Sequence, residues 1–272
     1  MTDVIANPDV QALGKAVSRA DQLLHVLEEA GLSPKALQGP IDDPTGRREL
    51  VIYWSNLFDP KPAEDNGQFY TLTEVAQLLG GDFHGPDQAR KFFGGRMNQK
   101  CFQPSVVFDA EEVRAHKGTH VLVAAPRISV MGVHAKAAQF FLSKEDPWFG
   151  ESNQRRAFTD AKIAEADWYW HTKEAVPSST SVVWDQQLGM VWPPDFVPEA
   201  NLSVYVYALH KLATGERLFR QLWVRVSSVS ADGYRVGLHG YSDGLYVSRW
   251  SDDAGSDVGV AAARKAKWKL AA

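Results

Sequence analysis

The first third of the chain carries apolar residues at helical spacing, and the last third carries them in alternation. Between residues 8 and 30, Val10, Leu13, Val17, Leu24 and Leu27 fall near one face of a helix. Gly31 is placed to end that helix, and Ser33 with Pro34 begins a short second one. Arg47 to Phe58 predicts a further helix. The Pro- and acid-rich stretch 59–67, "DPKPAEDNG", reads as a connector. "YTLTEVAQLLGG" then predicts a helix over 71–80, with Thr71 or Thr73 as its N-cap, and another helix is expected over 86–93. "PSVVFD" and "THVLVAAP" cluster β-branched residues between turn formers and predict short strands. Residues 132–142 predict a short helix.

Beyond residue 160 the texture changes. "SSTSVVWDQQLGMVWPP" predicts a capped helix near 181–191, stopped by Pro193 and Pro194. "SVYVYALH", "LFRQLWVRV", "YRVGLHG", "GLYVSRW" and "VGVAAARK" read as five strands, separated by "ATGE", "SADG", "YSDG" and "DDAGSD". Leu222, Val224 and Val226 alternate with Trp223 and Arg225, which predicts one buried and one exposed face. The expected fold class is therefore α+β: a helical N-terminal segment (1–58), a mixed middle domain (68–150), and an antiparallel sheet module (160–272) covered by the 181–191 helix.

Composition narrows the function classes. Apolar residues make up 44% and charged residues 23%, the balance of a globular protein with enough length to bury a core. The net charge of -4 excludes a broadly phosphate-binding surface, so nucleic-acid contact would need a local basic patch. With one cysteine, Cys101, no intrachain disulfide can form. The N-terminus has no signal-peptide pattern, and the most apolar run, "HVLVAAPRISVMGV", is broken by Pro126 and Arg127. The expectation is a soluble, cytoplasmic protein with no membrane contact.

"LEEAGLSPKALQGPIDDP" near the start, and "PSSTSVVWDQQ", "ATGERLF" and "DGLYVSRWSDDAGSDVGVAAARK" in the C-terminal part, resemble stretches of uncharacterised bacterial proteins. In those proteins a helix, an "AGLSP"-like turn and a second short helix recur ahead of a similar C-terminal module. The resemblance covers the first sixth and the last two fifths of the chain. It implies a bacterial or phage-like origin and brings no activity, cofactor or catalytic residue with it.

Several residue constellations bear on chemistry. Ala76 and Gly80 have the spacing of a helix-turn-helix, whose second helix would offer Gln88, Arg90 and Lys91 to a groove, followed by Arg96 and Lys100. The long turn "GGDFHGP" and the acids Asp82 and Asp87 favour a structural helix pair instead. His116 and His120 are four apart, yet Gly118 between them argues against a shared helix and a metal. Cys101 beside Lys100 reads as a small core residue before a reactive thiol. Asp252, Asp253 and Asp257 read as turn formers and lack the spacing of a calcium loop. No phosphate-binding glycine loop is present, and no cofactor or metal is implied.

Nine tryptophans remain. Trp223 and Trp250, with Arg225, suggest a partner surface on the C-terminal sheet, since exposed aromatics stack on sugars, bases or peptide side chains. The favoured expectation is a non-enzymatic binding or regulatory protein with an unidentified protein or small-molecule partner on that sheet; contact with DNA through 70–100 is the less favoured addition to it. The alternative is a hydrolase-like enzyme with a site assembled from His171, Asp185, His239 and Asp243.

Overall fold

The computed structural model describes residues 69–94, 99–145 and 147–271. The helices expected over 8–30, 33 onward and 47–58, and the segment 1–58 as a whole, lie outside them. Residues 68–272 form one compact unit.

That unit is α+β. Its elements run β1 (Phe69–Thr71), α1 (Leu72–Leu79), β2 (Phe83–His84), α2 (Pro86–Phe93), β3 (Val106–Asp109), α3 (Ala110–His116), β4 (His120–Ala125), α4 (Val130–Ala137) and β5 (Asp167–Thr172). Then follow α5 (Trp184–Leu188), α6 (Ala200–Thr214), β6 (Trp223–Val229), β7 (Arg235–Tyr241), β8 (Gly244–Trp250), β9 (Val258–Val260), β10 (Ala263–Lys265) and β11 (Trp268–Leu270). Three sheets result, in the orders β1-β3-β11, β10-β5-β4-β2 and β8-β7-β6-β9.

Local chemistry sets the first helices. The Thr71 hydroxyl accepts from the Glu74 amide while Glu74 Oε2 accepts from the Thr71 amide at 2.8 Å, a reciprocal cap that starts α1. Gly80, at φ 56°, ends it. Pro86 opens α2, where Gln88 Oε1 accepts from the Gly85 amide. These bounds match the periodic pattern, but the helix-turn-helix reading does not survive. The chain between the two helices forms β2, which pairs in parallel with β4 (Phe83 opposite Leu122, His84 opposite Val123). A strand committed to a sheet replaces the tight turn that would set a reading helix.

The expected split into a middle domain and a sheet module is also corrected. β4 pairs with β5, and β3 pairs with β11 (Phe108 opposite Trp268), so the last residues of the chain complete a sheet begun near residue 69. Strand pairing across some 160 positions leaves no hinge between 68–150 and 160–272 within this unit.

"SVYVYALH" is the largest correction. It lies inside α6, whose residues Ala200 through His210 are all buried. The helix packs against both β4 and β6. Tyr205 donates to the Ala124 carbonyl at 2.7 Å, and Gly215 at φ 77° ends the helix. A helix apolar on every side loses its periodic signal, and the Val and Tyr residues that serve burial here also favour strands. The predicted five-stranded antiparallel sheet is accordingly a four-stranded mixed one, with β9 parallel to β6. "VGVAAARK" splits, and its second half, β10, pairs with β5 in another sheet. The expected covering helix shortens to α5, and α6 covers the core face of β6.

Candidate functional site

β6, β7 and β8 build a face of aromatic rings by alternation and register. Val224, Val226, Val236, Leu238, Leu245 and Val247 turn one way into the core. Trp223, His239, Tyr241, Tyr246 and Trp250 turn the other way. The β7–β8 register sets His239 opposite Tyr246 and Arg235 opposite Trp250, and the Val224–Leu238 pair brings Trp223 beside His239. Trp223 is the hub. Its ring centroid lies 5.4 Å from His239, 5.3 Å from Tyr246, 5.5 Å from Trp250 and 6.2 Å from Tyr241. His239 and Tyr241 approach to 4.1 Å. Edge-to-face and tilted contacts at these distances are the favourable ones for aromatic pairs.

Gly237 makes room for this packing. A Cβ there would lie 2.4 Å from Trp250 Cδ1, so the missing side chain lets the indole lie across β7. Four of the rings are half-buried and Tyr241 is 39% exposed. Burial lowers the His239 pKa; Arg217 adds to the effect and Asp257 opposes it, so the ring is neutral near pH 7 and contributes to an apolar patch.

Trp223 and Trp250, singled out from the sequence, do share this face. Arg225 does not offer itself to a partner, although it points to the same side. It is 0% exposed beneath α5 and the 251–253 loop. Its Nη1 donates to Gln187 Oε1 at 3.0 Å, and its Nη2 donates to the carbonyls of Ser251 (2.8 Å) and Asp253 (2.5 Å). Alternation correctly predicted its side of the strand; the tertiary cover on that side was not legible. Next to it, Arg235 lies over the Trp184 ring at 4.5 Å and pairs with Asp252 at 3.3 Å. The Arg235–Asp252 pair thus borders the rings, whereas Arg249, paired with Asp232, sits opposite core-facing Val236 on the other side of the sheet.

The four residues of the enzymatic alternative are not assembled. No hydrogen bond or ion pair joins any two of them. His171 is buried between β5 and α6, its Nδ1 2.9 Å from the Thr172 carbonyl and its Nε2 2.9 Å from Ser203 Oγ. That arrangement has the atoms of a hydroxyl and its base, but both residues are fully buried, and burial pulls the His171 pKa down to about 4. Asp185 is exposed on α5, and Asp243 is exposed in the β7–β8 turn.

The basic set of the nucleic-acid reading divides similarly. Gln88 is spent capping α2. Arg90 and Lys91 are exposed, with Arg90 paired to Asp87 at 3.2 Å and Lys91 over the Phe92 ring. Lys100 is exposed, and Arg96 lies outside the described residues.

Cys101 is a core residue: its thiol donates to the Ala166 carbonyl, and burial first, then Asp167, pushes its pKa up to about 11. His116 and His120 meet edge-to-face at 4.5 Å, but His116 Nδ1 donates to the Glu112 carbonyl and its ring stacks on Trp170. Among the described residues no group of three His, Cys, Asp or Glu is placed to hold a metal ion. No helix among them is long and apolar enough to cross a membrane. No family model, curated protein or solved structure matches this chain.

Proposed function

We propose that this is a non-enzymatic binding protein whose partner is another protein, docked on the Trp223–His239–Tyr241–Tyr246–Trp250 face. The observation that carries the reading is the clustering of four partly exposed rings around Trp223 on one side of a sheet. The rings pack on each other, with centroids 5.3–6.2 Å from that of Trp223. A contiguous aromatic centre bordered by the Arg235–Asp252 pair has the anatomy of a protein interface, in which buried Trp and Tyr carry most of the energy.

The test places a photo-crosslinking amino acid at position 223 or, as a control, at exposed Tyr234, in cells expressing the full chain. A discrete adduct is expected from 223 and not from 234. The captured protein, once purified, should bind the wild type with a Kd that rises roughly thirty-fold in Trp223→Ala. Identical adducts at both positions, or an unchanged Kd, would remove the aromatic face from the interface.

A second reading, contact with DNA through α2, rests on the exposure of Arg90 and Lys91. Anisotropy of a labelled mixed-sequence duplex checks it. Phosphate contact predicts affinity that falls steeply with salt and a salt slope smaller by about 2 in Arg90→Ala/Lys91→Ala. No binding at low salt leaves α2 as scaffold.

A further inference from the structure

We propose that His84 and His210 form an acid-sensitive latch that holds the edge strand β2 against the central helix α6. His84 is the inward residue of β2, and His210 lies in the last turns of α6; each is 1% exposed. His84 Nε2 stands 2.9 Å from His210 Nδ1, and the rings cross at 69°. A nitrogen-to-nitrogen bond of this kind holds one proton between two neutral rings. The outer nitrogens, His84 Nδ1 and His210 Nε2, are buried with no hydrogen-bond partner. His210 Nε2 lies 3.9 Å from Glu216 Oε2. A Nε2–H on His210, facing that carboxylate, therefore leaves His84 as the donor to His210 Nδ1.

A first added proton leaves a charge in a buried site whose nearest carboxylate is 72% exposed. A second sets two N–H groups against each other and removes the bond. The charged groups around the pair do not neutralise this. From the turn before β2 comes Asp82, and from the end of β5 comes Lys173, bonded to each other at 2.7 Å. From beyond α6 comes Glu216. Burial first, then proximity to His210, draws the His84 pKa from 6.5 to about 3. Burial also lowers that of His210; Asp82 and Glu216 oppose the shift and Lys173 adds to it.

Both folded pKa values are depressed, so both rings bind protons more readily once released. The latch is closed above pH 6.5 and weakens as pH falls from there towards 3. β2 is two residues long and lies at the edge of its sheet, so it is the element the latch frees, together with the start of α2.

Amide hydrogen exchange on the full chain, corrected for the intrinsic pH dependence of exchange, tests the latch. From pH 7 to pH 5 the protection of segment 83–93 is expected to fall about twenty-fold through His84 alone. Segment 106–109 in β3, which like its partner strands β1 and β11 contains no histidine, serves as the reference and should change far less. In His84→Phe the drop in 83–93 should shrink to the share of His210. Equal losses in both segments, no loss in either, or the full drop persisting in His84→Phe would overturn the latch. If His84→Phe does not fold, the comparison of the two wild-type segments decides.

Discussion

Replacing Arg225 with alanine is expected to destabilise the protein by about 3–5 kcal/mol and to disorder the border of the aromatic face. The guanidinium is buried and donates to Gln187 Oε1 and to the Ser251 and Asp253 carbonyls. Alanine leaves these acceptors without their donor and opens a cavity the size of the lost side chain. Lysine would not rescue the site, because a single ammonium on a flexible stem cannot reproduce a planar fork that reaches a helix and a loop together. Methionine restores volume without donors, so the difference between Arg225→Met and Arg225→Ala separates packing from hydrogen bonding. Urea unfolding followed by circular dichroism reads the stability. A loss below 1 kcal/mol would mean that Trp184 and the Gln187 bonds to Ser179 and Val258 suffice to hold α5.

Gly240→Ala is expected to cost about 3 kcal/mol, for a steric reason unrelated to backbone torsion. A Cβ at 240 would lie 2.1 Å from the Leu218 carbonyl oxygen and 3.0 Å from Tyr207 Cε2. The main chain of 217–219 is drawn onto β7 there: the Gly240 amide donates to the Phe219 carbonyl at 2.9 Å, and Arg217 donates to the Gly240 carbonyl. Making room for the methyl group separates this segment from β7, next to the residue that bears His239. Gly81→Ala is the control, since its Cβ would meet only the Thr214 methyl group at 3.3 Å. At roughly 2–4 °C per kcal/mol for a unit of this size, Gly240→Ala should lower Tm by about 6–12 °C, and Gly81→Ala by far less. Equal melting temperatures would show that the 217–219 contact contributes nothing.

The aromatic face was more legible than the reading from Trp223 and Trp250 alone suggests. A two-residue turn at Ser242 and Asp243 sets Tyr241 opposite Gly244, and that register by itself places His239 opposite Tyr246 and Gly237 opposite Ser248. The signal for Tyr241, Tyr246 and His239 was thus in "YRVGLHGYSDGLYVSRW". The His84–His210 contact carried no such signal, because 126 positions separate its partners and only the packing of α6 on β2 brings them together.

By itself, the sequence determined the elements whose causes are local. The Thr71–Glu74 cap, Pro86 and the apolar spacing placed α1 and α2, and alternation between Gly turns placed β6, β7 and β8. Each depends on residues within a few positions, where propensity, capping and side-chain period act together. Tertiary structure decided the rest. It made "SVYVYALH" a helix by surrounding it on every side, made β9 parallel and sent β10 to a second sheet, and covered Arg225 with α5 and the 251–253 loop. Those outcomes depend on which distant surfaces meet, and burial against them outweighs the fractions of a kcal/mol by which local propensity favours one backbone over another.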